Sequence, residues 1–138
     1  MEPTLQDGDM VDVKEIAANE PHRGDVVVFR STTHPNRHFI KRVIGLPGDY
    51  IEISETTGEV RLNGEPLEEA YVSGPTECLT DCIWTLPEAR SQEARARCGS
   101  DACYFVMGDL RDDPGDSADS RGGFLVTRES IIGRAETP

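Results

Sequence analysis

The chain has 138 residues, with 14 basic against 26 acidic side chains and a formal net charge of −12. That balance repels polyanions and anionic bilayer surfaces, which excludes nucleic acid as a partner class. The length fits one domain around a single core, and 36% apolar residues with 13 Gly and 9 Pro suit a turn-rich globular unit.

In chain order, apolar stretches of strand length fall at Met10–Val13, Asp25–Phe29, His38–Ile44, Tyr50–Ile53, Glu59–Leu62, Cys103–Met107, Gly123–Val126 and Ile131–Ala135. Turn formers separate them: Gly8-Asp9, Arg23-Gly24, Leu46-Pro47-Gly48-Asp49, Thr57-Gly58 and Asn63-Gly64. The pattern is all-β. One short helix is plausible over Pro87–Arg97, although Leu86, Ala89, Ala94 and Ala96 make a weak apolar stripe. The composition shifts over about residues 67–102, which carry most of the cysteines and little strand patterning. This stretch is expected to be an insertion into a core formed by about 1–66 and 103–138. Apolar runs such as Val26–Phe29 fall far short of the roughly 20 residues a spanning helix needs. On that ground this stretch of chain is expected to be a soluble piece, and it offers no secretion signal to read.

The four cysteines, Cys78, Cys82, Cys98 and Cys103, are spaced C-x3-C and C-x4-C. Four cysteines allow three pairings, among which sequence does not choose. Zinc knuckles favour C-x2-C spacing, which neither pair has. Disulfides, and hence an oxidising compartment, are favoured over free thiols or a metal.

Lys41 is the first chemical candidate. A lysine serves as a base at neutral pH only when its ammonium form is disfavoured, which an apolar pocket achieves by desolvation. Phe39, Ile40, Val43, Ile44 and Leu46 surround it in sequence, and in a strand Lys41 shares a face with Phe39 and Val43. Taken alone, such a lysine is more often an edge-strand residue pointing into water. Four stretches in order change that weighting. They are Met1-Glu2-Pro3-Thr4-Leu5, then Arg23-Gly24-Asp25-Val26-Val27-Val28-Phe29, then Ile40-Lys41-Arg42-Val43-Ile44-Gly45-Leu46-Pro47-Gly48-Asp49. The fourth, in two parts, is Met107-Gly108-Asp109-Leu110-Arg111 followed by Ser117-Ala118-Asp119-Ser120-Arg121. Together they resemble the boxes of the bacterial type I signal peptidases, serine proteases that pair a serine nucleophile with a lysine base. The resemblance runs from Met1 to about Arg134, apart from the insertion.

It implies a partly open barrel of coiled antiparallel sheets, with the cysteine-bearing insertion at one end. The implied reaction removes signal peptides from exported preproteins after Ala-x-Ala through an acyl-enzyme, with no cofactor and no metal. Lys41 matches the general base and Ser117 the hydroxyl that orients its amine. The family's first box reads Ser-Met-x-Pro-Thr-Leu, so the nucleophile is expected one residue before Met1, and the chain as it stands is expected to be inactive. Met1, Leu5, Phe39 and Ile40 match walls of the shallow substrate pockets, and the strand ending in Phe39-Ile40 is expected to pair with the extended substrate. Asp109 matches a partner for Arg42, and Asp119 with Arg121 a second supporting pair. The implied partners are signal peptides and a membrane, reached through an anchor upstream of Met1. The domain is expected on the extracytoplasmic side.

Two departures stand out. Leu110 replaces the usual Asn, and Asp112-Asp113-Pro114-Gly115-Asp116 is about three residues longer than the family's spacing, so the alignment of Ser117 depends on a looped-out Pro114-Gly115-Asp116. The acidic run from Asp109 to Asp119 lacks the glycine and glutamate positions of a calcium loop. The alternative from another class is a non-catalytic module of the same fold that binds signal peptides without cutting them. Self-cleaving repressor domains share the dyad, but no DNA-binding segment or cleavable linker precedes this one.

Overall fold

The computed structural model describes residues 1, 4–6, 8–18, 21–31, 36–70, 75–76, 82–109, 111 and 125–136. Ten strands are formed: β1 (Val13–Lys14), β2 (Val26–Arg30), β3 (His38–Gly45), β4 (Tyr50–Ile53), β5 (Val60–Leu62), β6 (Glu65–Pro66), β7 (Ile83–Thr85), β8 (Cys103–Met107), β9 (Leu125–Thr127) and β10 (Ile131–Ala135). A single α-helix, α1 (Gln92–Cys98), lies between β7 and β8, and a 3-10 turn at Arg128–Ser130 precedes β10. One sheet runs β1-β10-β2-β3-β8-β9 and the other β6-β5-β4-β7. Every recorded pairing is antiparallel. The fold is all-β, and among the described residues the two sheets do not close into a barrel. Among those residues, too, no helix is long and apolar enough to cross a membrane.

Tyr50–Ile53, Cys103–Met107 and Ile131–Ala135 form strands with the boundaries their patterns predict. Five elements differ. The first strand is Val13–Lys14 rather than Met10–Val13, because its ladder to β10 begins at Val13 opposite Ala135 while Met10 projects into solvent. The helix starts at Gln92 rather than Pro87. Ser91, in extended conformation, caps it by accepting a hydrogen bond from the Ala94 N–H at 3.0 Å, and Gly99 ends it in the left-handed region. The short strands β6 and β7 were not legible as alternation. Ile83–Thr85 becomes a strand by pairing with β4, which sets Trp84 opposite Ile51 and its ring 4.5 Å from that of Phe105. The last-but-one strand begins at Leu125, since Gly123 and Phe124 lie outside the described residues.

The core has two main parts. Ile44, Ile51, Ile53, Val60, Leu86, Phe105 and Met107 fill one, and Ile16, Val27, Phe29, Val43, Tyr104, Val106, Val126 and Ile131 the other. The strand β3 contributes to both, because successive residues face opposite sides. Its end carries the chain across to β4, and Asp49 holds that turn. Asp49 Oδ2 accepts from the Leu46 N–H (2.7 Å) and from Arg23 Nη1 (2.6 Å), and Oδ1 accepts from Asn63 Nδ2 (3.0 Å). Asn63 and Gly64 both have positive φ, as a two-residue hairpin turn between β5 and β6 requires. At Gly45 the sheets approach so closely that a Cβ would stand 2.4 Å from Ile51 Cδ1 and 3.0 Å from Phe105 Cβ. Only glycine fits there.

Candidate active site

The strand β3 carries the candidate base Lys41, and alternation divides its residues. Ile40 and Arg42 face one side, Phe39, Lys41 and Val43 the other. Lys41 is 9% exposed and sits opposite Val27 of β2. The aliphatic neighbours on its face, Val27 and Val43, are fully buried. The ladder from β3 to β8 begins only at Arg42, opposite Met107. Among the described residues, therefore, β3 has β2 on one side of His38–Ile40 and no paired strand on the other. Lys41 stands where this open edge ends.

On the opposite face, Arg42 forms a two-pronged ion pair with the fully buried Asp109, Nε to Oδ1 at 2.9 Å and Nη2 to Oδ2 at 2.7 Å. Fork geometry of this kind fixes a carboxylate in both position and plane. Arg42 Nη1 also donates to the Gly24 carbonyl at 2.8 Å, tying in the Arg23-Gly24-Asp25 stretch. Thr4 joins the same pair: its hydroxyl donates to Asp109 Oδ2 and accepts from Arg42 Nη2 at 3.2 Å.

A second buried arginine grips the segment after β8. Arg111 is fully buried; its Nε donates to the Gly108 carbonyl at 2.6 Å, and its Nη1 and Nη2 reach Glu69 Oε1 and Oε2 at 2.8 and 2.5 Å. Thr76 Oγ1 accepts a further, longer bond from Nη1 at 3.3 Å. Asp109 and Arg111 are thus held from two sides, by Arg42 of β3 and by Glu69 with Thr76.

Of the four candidate substrate-wall residues, the structure brings three together. Met1, Leu5 and Ile40 pack in one apolar cluster with Val11, Val26, Val28 and Ala135. Phe39 lies on the other face of β3, 39% exposed, with its ring 6.0 Å from that of Phe29. Ser117, Asp119 and Arg121 lie outside the described residues, as do Leu110 and Cys78. Cys98 is disulfide-bonded to Cys103, joining the end of α1 to the start of β8, and Cys82 is also in a disulfide. Neither Thr4 nor Glu69 emerges from the sequence as a site residue. Glu69 and Arg111 are 42 positions apart, and no local pattern announces their pairing.

The family model described as "Signal peptidase, peptidase S26" matches residues 1–138. Signal peptidase I of Leptolyngbya laminosa is 39% identical over 98% of this chain and 62% of its own length. Probable signal peptidase I-2 of a Synechocystis strain is 37% identical over 98% and 56%. Signal peptidase I of Pseudomonas fluorescens is 33% identical over 98% and 60%. The chain thus spans about three fifths of the length of these relatives. The crystal structure of a signal peptidase I from Enterococcus faecalis superposes with a TM-score of 0.57 at 28% identity, covering 86% of this chain and 98% of that one. With the fold and the whole length of the chain matched, this protein belongs to the signal peptidase family, peptidase S26.

Proposed function

We propose that this chain is the catalytic portion of a signal peptidase I that removes signal peptides from exported preproteins by cutting after Ala-x-Ala. In this reading the nucleophile is a serine directly preceding Met1, and Lys41 is its general base. The observation that carries it is Lys41, a residue 9% exposed at the point where, among the described residues, the edge of β3 has no paired strand. An extended peptide added along His38–Ile40 gains main-chain hydrogen bonds. Its scissile carbonyl then comes to rest near the point where Lys41 stands. The apolar cluster of Met1, Leu5 and Ile40 offers a wall suited to small side chains.

The steps balance without a cofactor. Lys41 Nζ, acting as base, takes the serine proton as the oxygen attacks the carbonyl; it then returns that proton to the leaving amine, and the acyl-enzyme is hydrolysed by water activated by the same amine. Ser117 orients the amine, and Asp119 with Arg121 supports that loop. The domain works at the outer face of a membrane, held by an anchor upstream of Met1.

Residues 1–138 alone are expected not to turn over an Ala-x-Ala signal-peptide substrate. Water activated by Lys41 lacks the fixed near-attack placement worth roughly 7–11 kcal/mol in favourable intramolecular cases. A longer protein with a serine before Met1 and its upstream segment should cleave, and Lys41→Ala in that protein should abolish cleavage while leaving the circular dichroism spectrum unchanged. Wild-type rates in the Lys41→Ala protein, or turnover by residues 1–138 that is lost on Ser117→Ala, would overturn the assignment.

A further inference from the structure

We propose that Thr4 is a positioning residue that locks the segment next to the nucleophile onto the Arg42–Asp109 pair. The proposal rests on the serine–lysine reading above. None of the described residues of 1–12 belongs to a strand. Among the ties at the start of the chain are a local turn closed by the Leu5 N–H to the Met1 carbonyl (3.1 Å), the buried Leu5 side chain, and the Thr4 hydroxyl. Burial of Leu5 is non-directional and tolerates a small slide. The Thr4 hydroxyl is directional. It donates to a carboxylate already held by two arginine nitrogens and accepts from one of the same nitrogens, so its oxygen has one satisfactory place.

The anchor also lies on the residue next to Lys41. Arg42 is adjacent to Lys41 in β3, so the segment leading back from Thr4 to the nucleophile is referenced to the strand that carries the base. Thr4 touches neither substrate nor the reacting atoms. Its effect passes through the geometry of attack, where reacting atoms must come within about 3–3.5 Å in line, whereas apolar contacts to small side chains tolerate the same displacement.

Thr4→Val keeps the shape and the β-branch and removes only the hydroxyl; Thr4→Ser keeps the hydroxyl. In the longer protein with a serine before Met1, assayed on an Ala-x-Ala signal-peptide substrate, Thr4→Val should lower kcat about 10- to 100-fold with KM little changed, and Thr4→Ser should restore most of it. In residues 1–138, hydrogen exchange at the Leu5 amide should speed up about tenfold in Thr4→Val while the Val43 amide in β3 stays protected. An unchanged kcat, a loss carried by KM alone, or an unchanged Leu5 exchange rate overturns the proposal. If the longer wild-type protein does not cleave, the protease reading fails, and the exchange experiment by itself decides whether Thr4 anchors the segment.

Discussion

Asp49 illustrates how a single side chain can hold a fold together around a site. Burial by itself would raise its carboxyl; the hydrogen bonds from Arg23, Asn63 and the Leu46 N–H, with the charge of Arg23, outweigh that and hold it below the ordinary carboxylate value. The unfolded chain titrates at about 3.8, and the folded value lies lower. The stabilisation is therefore complete above the unfolded value and is lost as pH falls through the folded one. Asp49→Asn should destabilise the protein by about 1–3 kcal/mol at neutral pH, since it leaves charged or buried donors poorly paired. The gap between wild type and variant in urea midpoint should narrow below about pH 4, the range set by the unfolded carboxylate. A gap that does not change with pH would mean that Asp49 acts by shape alone. Tyr104 shows the opposite direction, because burial in the core raises its hydroxyl above the ordinary value of 10.0. It stays neutral throughout that acid range.

Among elements, Gly108, Asp109 and Arg111 after β8 pair with no strand among the described residues, and two buried guanidinium groups hold them. Arg42 reaches Asp109 from β3, and Arg111 links the Gly108 carbonyl to Glu69. Removing one member of a buried pair leaves an uncompensated charge, which costs about 3–5 kcal/mol. Glu69→Gln should therefore lower stability by about that amount, measured by chemical denaturation. The double variant Glu69→Gln with Arg111→Met should recover much of the loss, since the isolated charge goes with its partner. Equal stability of Glu69→Gln and wild type would show that the pair contributes nothing. Two such buried pairs are weak evidence for stability in themselves; their use here is directional, since each fixes the path of a segment that carries Asp109.

On the scale of the whole molecule, the region of residues 67–102 is bound into the core rather than merely attached to it. It supplies β7 to the four-stranded sheet, Leu86 to the core, and Glu69 and Thr76 to Arg111. The Cys98–Cys103 disulfide closes the last turn before β8. In the chain-entropy account a loop this short contributes about 2 kcal/mol, so reduction should lower the melting temperature of residues 1–138 by several degrees without unfolding them at room temperature. Loss of all cooperative unfolding on reduction would assign the disulfides a larger part than loop closure explains.

What the sequence determined by itself is what local periodicity and family boxes encode. Alternation of apolar residues gave most strands their places, Asn63-Gly64 and Leu46-Pro47-Gly48-Asp49 gave the turns theirs, and the Lys41 box marked the strand that carries the candidate base. Strands β6 and β7 were not visible, because two or three residues are too few to show a period and their identity as strands rests on the neighbour they pair with. The same reason hid Thr4 and Glu69. A hydroxyl or a carboxylate in a turn looks alike whether it faces water or a buried arginine, and only the folded chain brings Asp109 to Thr4 across 105 positions and Arg111 to Glu69 across 42. Tertiary structure also divided Ile40 from Phe39 and, among the described residues, left the edge of β3 open beside Lys41, since where a ladder to β8 starts depends on the register of two strands and not on the composition of either.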